Sequence, residues 1–281
     1  MVNMNILQTI QRFWNFIGHG WKKSFSITSY IFAGIATFGG VLDITFKDIY
    51  PLSCWMRISI IFSIYIIITF ITRLILEKNK TYIVNARKNI IKIKKGDIFK
   101  EKGLIVIPFN EYFDTTVDDV IISSHSLNGK FLNNYKIDVK ELNDFIKKSI
   151  DPINLPRTKT SRGDKFPLGR IIKYKTFLLL AFSHFNADNV ANITRIEYEQ
   201  CLITMWQELR RTYNGEPIVL PLIGSGITSF TDLSEKSNID LLKCMICTLK
   251  FSKIQFQEDI KIVVTEKVWN DLDLVNNIID L

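Results

Sequence analysis

The sequence predicts an α/β domain of three layers, with helices on both faces of a mixed sheet, preceded by a transmembrane hairpin of two helices. Three observations support this fold class. Apolar segments with strand-like spacing alternate with helical ones from residue 90 onward, which is typical of a sheet flanked by helices. Two long, nearly uncharged runs precede them. The apolar run from Ile218 to Pro221 ends in the turn Gly224-Ser225-Gly226, which favours a buried strand followed by a glycine turn.

Charge is unevenly distributed along the 281 residues. The net charge of +8 comes from residues 1–95, which carry 13 Lys and Arg against 3 Asp and Glu. Residues 96–281 carry 23 against 25, so this part has no basic excess with which to follow a phosphate backbone. The sequence therefore argues against nucleic-acid binding.

Residues 1–23 are predicted to form an amphipathic segment. Their apolar residues recur at Ile6, Ile10, Phe13, Trp14 and Ile17, which is the spacing of one helix face. Such a helix lies along a membrane interface or packs on a partner. The stretch lacks the early basic region and the small-residue cleavage site of a signal peptide.

Residues 24–80 are predicted to contain two transmembrane helices, at about 24–42 and 58–76. The first run has no charged residue, and the second has only Arg73, close to its end. A helix of that length reaches about 28 Å, close to the hydrocarbon thickness of a bilayer. The alternative is a buried hairpin of a water-soluble protein, which two such runs in succession disfavour.

The charges that flank these runs predict their orientation. The connection at 43–57 has two acidic and two basic residues, whereas the outer flanks are basic. The basic residues are Arg12, Lys22 and Lys23 before the hairpin and Arg73, Lys78, Lys80, Arg87 and Lys88 after it. By the positive-inside rule both termini lie in the cytoplasm, so residues 85–281 are predicted to form a cytosolic domain.

That domain begins with a strand that runs into Gly96-Asp97-Ile98, followed by a strand from Gly103 to Asn110. The later elements are, in order, a helix at 138–150, a loop at 151–165, one or two strands at 170–186, a helix at 192–213, the strand before Gly224, a helix at 238–250, a strand at 260–264 and a helix from 266. The helix at 192–213 is predicted to face inward with Ile196, Cys201, Leu202, Met205 and Leu209.

Three of the strands are followed by polar or glycine-containing loops, which we expect to meet in one crevice. Ligands gather at strand ends in such sheets. Glycine lets backbone N–H groups approach an anion such as a pyrophosphate. An ordinary strand-end turn has the same pattern, so the glycine turn alone does not establish that an anion binds there.

The sequence predicts no catalytic residue, no metal site and no cofactor. Cys244 and Cys247 fall within an apolar helical period, and no second Cys or His pair follows at zinc spacing. The histidines His19, His125 and His184 lie far apart in sequence. Unpaired cysteines fit a reducing cytosol.

The order of these motifs resembles that of the macro domain, the module that binds ADP-ribose. The shared order is a strand into "GDI", a strand that ends in Asn110, a glycine-bearing loop before a helix, and a late apolar strand with a glycine turn and an aromatic residue. The resemblance spans about Ile90 to Val264. With the two-helix anchor, the stretches "NEYFDTTVDD", "SLNGKF" and "PLIGSGI" resemble the ThsA-type macro-domain effectors of Thoeris antiphage defence systems.

That resemblance implies a role at the bacterial inner membrane. A TIR-domain partner enzyme would make an ADP-ribose-derived nucleotide signal from NAD, such as a histidine-ADP-ribose conjugate. The effector would bind this signal, assemble into a homo-oligomer, disrupt the membrane lipid and cause abortive infection.

The resemblance also implies the ligand-binding residues. Asp97 would accept a hydrogen bond from the adenine amino group beside Ile98, with a solvated turn carboxylate as the alternative. Asn110 would face the distal ribose, and Asp114 would bind the ribose or a cationic group, or cap a helix. The phosphate loops would comprise Ser126, Leu127, Asn128 and Gly129, and then Gly224, Ser225, Gly226 and Ile227, followed by Phe230, which is otherwise a core residue.

Departures from the hydrolytic macro domains favour a receptor over an enzyme. Those domains show "NAAN" and a run of glycines, whereas this chain has "IPFN" and the single Gly129. Two other hypotheses stay open. The first is a membrane-tethered ADP-ribosyl hydrolase in which Asn110 orients a water, and the second is a scaffold that only localises a partner.

Overall fold

The computed structural model describes residues 24–31, 33–34, 54–78, 81–119, 121–134, 137–150, 157–185 and 190–274. The chain divides into two compact units, Met1–Lys80 with Asp273–Asp280 and Thr81–Leu272 with Leu281. The predicted amphipathic segment 1–23 lies outside the described residues, as do residues 35–42 of the first predicted transmembrane helix.

In the first unit, the helical residues 24–31 pack beside helix α1 (Cys54–Lys78). Hydroxyl groups meet between them, with Thr28 Oγ1 3.3 Å from Thr72 Oγ1 and Ser29 Oγ 3.2 Å from Tyr65 OH. Thr28 is fully buried, whereas large apolar side chains of α1 are exposed. Those at least half exposed are Trp55, Met56, Ile61, Phe62, Ile66, Ile67, Ile71 and Ile75.

Taken over the described residues alone, no helix combines the length and hydropathy that a membrane span needs. The transmembrane hairpin at 24–80 stays a prediction.

The second unit contains a mixed sheet of nine strands, in the order β1-β2-β11-β9-β3-β7-β8-β10, with β6 paired to β7. Strands β2, β11, β9, β3 and β7 run parallel to one another, and β1, β6 and β8 pair antiparallel. The strands of this sheet are β1 (Thr81–Ala86), β2 (Asn89–Lys95), β3 (Leu104–Asn110), β6 (Ile171–Tyr174), β7 (Phe177–Phe185), β8 (Ala191–Ile193), β9 (Ile218–Pro221), β10 (Ser229–Phe230) and β11 (Ile260–Val264).

The helices of this unit cover both faces of the sheet. They are α2 (Leu127–Asn134), α3 (Val139–Ile150), α4 (Arg195–Thr212), α5 (Asn238–Ser252) and α6 (Glu266–Leu272). Alternate residues of β3, Ile105 and Ile107, share one core cluster with Phe131 of α2 and Leu142 of α3. Their neighbour Val106 is outside that cluster but also fully buried, as expected for a central strand covered on both faces. The predicted mixed α/β sheet is confirmed.

Two local predictions are wrong. The helix predicted at 192–213 begins at Arg195, because residues Ala191–Ile193 pair as β8 and Thr194 caps the helix through a capping box with Glu197. Ile196 therefore lies in the first turn and is 66% exposed instead of inward. Within the stretch predicted as a loop, residues 157–165 contain the antiparallel pair β4 (Thr158–Lys159) and β5 (Asp164–Lys165).

Candidate ligand-binding cleft

A cleft of about 680 Å³ opens where strands β2, β3, β9 and β11 end. These strands are parallel, so their carboxyl ends meet at one edge of the sheet, which is the usual place for a ligand site in α/β folds. The volume is within the usual range of small-molecule pockets, roughly 300 to 1,000 Å³. The loops after these strands supply its wall.

Ten of the thirteen residues predicted to bind ligand line this cleft. They are Asp97, Ile98, Asn110, Ser126, Leu127, Asn128, Gly224, Ser225, Gly226 and Ile227. Asp114, Gly129 and Phe230 are not among its lining residues.

At the end of β2, Asp97 caps a short 3-10 helix, Ile98–Lys100. Its Oδ1 accepts a hydrogen bond from the backbone N–H of Phe99 at 3.1 Å. The residue as a whole is exposed. The cap fixes the direction of the carboxylate while one oxygen remains to accept a second donor.

At the end of β3, Asn110 is held rigidly. Its Oδ1 accepts from the backbone N–H groups of Tyr112 and Asp114 at 3.0 and 3.2 Å, and its Nδ2 donates to Asp114 Oδ2 at 2.8 Å. The residue is only 4% exposed. Asp114 therefore orients the Asn110 amide by accepting a hydrogen bond from it. The second N–H of that amide remains available to a ligand.

The same Asp114 oxygen accepts from Arg162 NH2 at 2.8 Å. The Arg162 guanidinium also lies 5.2 Å from the ring centre of Tyr112 and 5.3 Å from that of Phe185, within cation–π range. Arg162 belongs to the turn between β4 and β5, and Phe185 lines the cleft. The predicted loop at 151–165 gave no signal of this contact, because its partners are distant in sequence.

The stretch predicted as the first phosphate loop forms the amino-terminal turn of α2. Ser126 caps the helix, and its Oγ accepts from the N–H of Gly129 at 2.9 Å. Within the described part of the chain, the N–H groups of Leu127 and Asn128 meet no acceptor. Free N–H groups at a helix start bind anions well.

Gly129 serves packing and does not line the cleft. A Cβ at this position would lie 2.2 Å from the carbonyl oxygen of Ser123, so only glycine lets α2 start this close to the preceding loop.

The stretch predicted as the second phosphate loop follows β9. Gly224 has a φ of +85°, and a Cβ there would approach Tyr198 Cε2 to 3.3 Å. The N–H of Ser225 is used inside the turn, where it donates to Leu222 O at 3.2 Å. The next three N–H groups, of Gly226, Ile227 and Thr228, have no acceptor among the residues that the structure describes. Both loops thus contribute residues with unbonded N–H groups to the lining of one cleft.

Lys236, which belongs to no sequence motif, binds this second loop. Lys236 Nζ donates to the carbonyl oxygens of Gly226 and Thr228 at 2.6 and 3.1 Å. Desolvation lowers the pKa of Lys236, although the residue as a whole is exposed.

Phe230 belongs to the core behind the loop. It is 8% exposed, and its ring packs edge-on against Tyr198 with the ring centres 5.4 Å apart. This is the alternative that the sequence left open for Phe230.

The lysines Lys130 and Lys267 also line the cleft, as does His125. Asn128 contributes a buried Oδ1 that has no hydrogen-bond partner within the described structure. A buried polar atom of this kind is costly unless a ligand or water satisfies it.

Beside the Asn110 end, outside the cleft lining, His184 bridges two carboxylates. Its Nδ1 lies 2.5 Å from Glu111 Oε2 and its Nε2 lies 3.2 Å from Glu197 Oε1. Lys165 Nζ approaches Glu111 Oε2 at 3.1 Å. The hydrogen bond to Glu111 raises the pKa of His184 despite burial. Burial acts to raise the pKa of Glu111, but the hydrogen bonds from His184 and Lys165 outweigh it and lower that pKa.

Over the described residues, no cluster of three or more His, Cys, Asp or Glu side chains has the arrangement of a metal site.

The sheet and the cleft at the carboxyl ends of its parallel strands define an α/β domain of the type that carries its ligand site at strand ends. The family described as Thoeris protein ThsA, Macro domain, matches residues 91–265. The Thoeris protein ThsA of Bacillus amyloliquefaciens (strain Y2) is 34% identical over 255 residues, which is 87% of this chain and 82% of that protein. The chain belongs to the ThsA macro-domain family.

Solved macrodomains of Oceanobacillus iheyensis are more distant. The one with MES bound has a TM-score of 0.47 and 14% identity, and covers 72% of this chain and 98% of its own. The one with ADP has a TM-score of 0.43 and 15% identity, and covers 72% and 98%.

Proposed function

We propose that this protein is the receptor of an ADP-ribose-derived nucleotide in a Thoeris defence system. The observation that carries the proposal is the pair of loops with free amides, Leu127–Asn128 and Gly226–Thr228, which line one cleft. Backbone N–H groups and a helix start stabilise a diphosphate without a dedicated basic side chain. Lys130 and Lys267 add positive charge at the same cleft.

The remaining lining residues fit the two ends of such a nucleotide. Asp97 supplies an acceptor for an exocyclic adenine amine, beside the buried Ile98. Asn110 supplies one amide N–H for a ribose hydroxyl. Asp114 affects ligand binding indirectly, because it orients the Asn110 amide, and Arg162 donates to the same Asp114 oxygen.

We assign the protein a role as receptor and not as hydrolase. Asn110 Oδ1 already accepts two backbone hydrogen bonds, which leaves this oxygen no lone pair to accept a hydrogen bond from an attacking water. A membrane-tethered ADP-ribosyl hydrolase is the alternative, and steady release of product from an ADP-ribosylated protein would establish it.

In this proposal the signal comes from a TIR-domain enzyme, and its binding drives homo-oligomerisation and disruption of the bacterial inner membrane. Ligand can favour assembly only to the extent that it binds the assembled state more tightly. Support for a membrane anchor comes from the run at 24–42, which has no charged residue, from the run at 58–76, which has only Arg73, and from the apolar side chains exposed on α1.

Isothermal titration of the full-length protein with ADP-ribose tests the receptor function. Asp97→Ala removes the proposed adenine contact and is expected to weaken binding about tenfold, the effect of one lost hydrogen bond to a charged group. Asp240→Ala, at an acidic residue in the first turn of α5, is the matched control. No binding by the wild type, or equal binding by wild type and Asp97→Ala, would remove the receptor role as described.

A further inference from the structure

We propose that Lys236 positions the second phosphate loop, directing its amides at the diphosphate without touching the ligand. This inference rests on the proposed function, since the loop receives a diphosphate only if the cleft binds a nucleotide. Lys236 lies just before α5, ten residues after Gly226 in sequence.

Lys236 contacts the second loop but does not line the cleft. Its Nζ donates to Gly226 O and Thr228 O at 2.6 and 3.1 Å. Gly226 and Thr228 line the cleft, whereas Lys236 is not among the lining residues. One ammonium group thus holds two carbonyls of the same loop from outside the cleft.

The geometry of the peptide bond then determines where the N–H of Ile227 points. In a planar trans peptide, the C=O of one residue and the N–H of the next point in opposite directions. Because Lys236 fixes the Gly226 carbonyl toward itself, the N–H of Ile227 is turned away from Lys236. Ile227 lines the cleft, and its N–H has no acceptor in the described structure.

The loop needs these hydrogen bonds because side-chain packing does not fix its conformation. No heavy atom lies within 4 Å of a Cβ built on Gly226, and Ile227 is 68% exposed. Glycine in an open turn samples many backbone conformations. The ammonium bonds are charge-assisted and therefore stronger than neutral ones, so they select one of these conformations.

Isothermal titration calorimetry of the full-length protein with ADP and with adenosine tests this role. Lys236→Met removes the hold and is expected to weaken ADP binding about tenfold, the effect of losing a charge-assisted hydrogen bond. Adenosine binding is expected to be unchanged, because adenosine has no phosphate for the loop. Lys243→Met removes a lysine of α5 that lines a groove between α4 and α5, outside the cleft, and is the matched control for loss of charge.

A second variant keeps the test decisive if Lys236→Met does not fold. Lys236→Gln is too short to reach both carbonyls, and we expect the same loss specific to ADP. An unchanged affinity for ADP in the folded variants, or an equal loss for ADP and adenosine, would overturn the role of Lys236. Failure of the wild type to bind ADP at all would instead overturn the proposed function.

Discussion

At the residue scale, the two proposed phosphate loops contain glycines with different roles. A Cβ on Gly129 would lie 2.2 Å from Ser123 O, whereas a Cβ on Gly226 would meet no heavy atom within 4 Å. Backbone atoms cannot move aside as the end of a flexible side chain can. Gly129 is therefore needed for the fold, whereas a side chain at Gly226 would meet open space.

We expect Gly129→Ala to lower the free energy of unfolding by about 1–3 kcal/mol, the usual cost of overpacking. Gly226→Ala, which adds the same methyl group in open space, should change the stability little. Urea unfolding of both variants measures the difference. Equal stability of Gly129→Ala and wild type would show that the start of α2 can shift without cost.

The free energy of unfolding is expected to depend on pH through His184. Its pKa is raised above 6.5 by Glu111, so its contribution is complete below pH 6.5 and is lost as the pH rises through the folded-state pKa. The pKa of Glu111 is lowered below 4.5, so its contribution is lost as the pH falls from 4.5 through its folded-state pKa. Both contributions are complete between these limits.

The wild type is therefore expected to lose stability as the pH is raised from 6.5, and His184→Gln should lack most of that loss. His125→Gln is the control, since His125 lies at the cleft and not in this cluster. Urea unfolding at a series of pH values measures the effect. If wild type and His184→Gln lost the same amount of stability as the pH was raised, the loss would have to come from another group.

The sequence predicted the cleft residues that belong to local motifs. It did not predict residues whose partners are distant in sequence. Asp97 and Asn110 directly follow apolar strands, so their position at the sheet edge was predictable. Lys236, Arg162 and His184 gave no signal, because their partners are backbone carbonyls or side chains from other elements.

At the element scale, long periodic segments were predictable and short paired ones were not. The strands β3 and β11 and the helices α3 and α5 lie close to their predicted ranges. The pairs β4–β5 and β8–β10 involve only two or three residues a strand, too few for an apolar pattern to appear. Their pairing depends on contacts that are distant in sequence.

The start of α4 provides a test at this scale. Thr194 Oγ1 accepts from the N–H of Glu197 at 3.3 Å, and the Glu197 carboxylate accepts from the N–H of Thr194 at 2.9 Å. Thr194→Ala should lower the free energy of unfolding by about 1 kcal/mol, the usual value of such a cap.

Thr212→Ala, at the other end of α4, is the matched control. The Thr212 hydroxyl donates to Glu208 O at 3.0 Å and caps no free N–H. A Thr194→Ala variant as stable as Thr212→Ala would mean that pairing of β8, and not the cap, fixes where α4 begins.

At the scale of the whole molecule, the proposal joins a nucleotide receptor to a membrane anchor. The hydroxyl groups of Thr28 and Thr72 meet inside the first unit while isoleucines of α1 face outward. Polar groups inside and apolar groups outside suit a lipid environment, where a polar group needs a partner within the protein.

We therefore expect the full-length protein to remain in the bacterial membrane fraction after extraction at alkaline pH, which strips peripheral proteins. A chain of residues 81–281 should be released into the soluble fraction. Immunoblotting of the fractions measures this distribution. Release of the full-length protein by the alkaline wash would contradict the anchor and leave the cleft proposal intact.

The most direct measurement of the central claim is a crystal structure of the protein with ADP bound. The account predicts diphosphate oxygens about 2.7–3.2 Å, the usual N–H···O distance, from the backbone nitrogens of Leu127 or Asn128 and of Gly226 or Ile227. A diphosphate that contacts neither loop, or that binds only through Lys130 and Lys267, would contradict it.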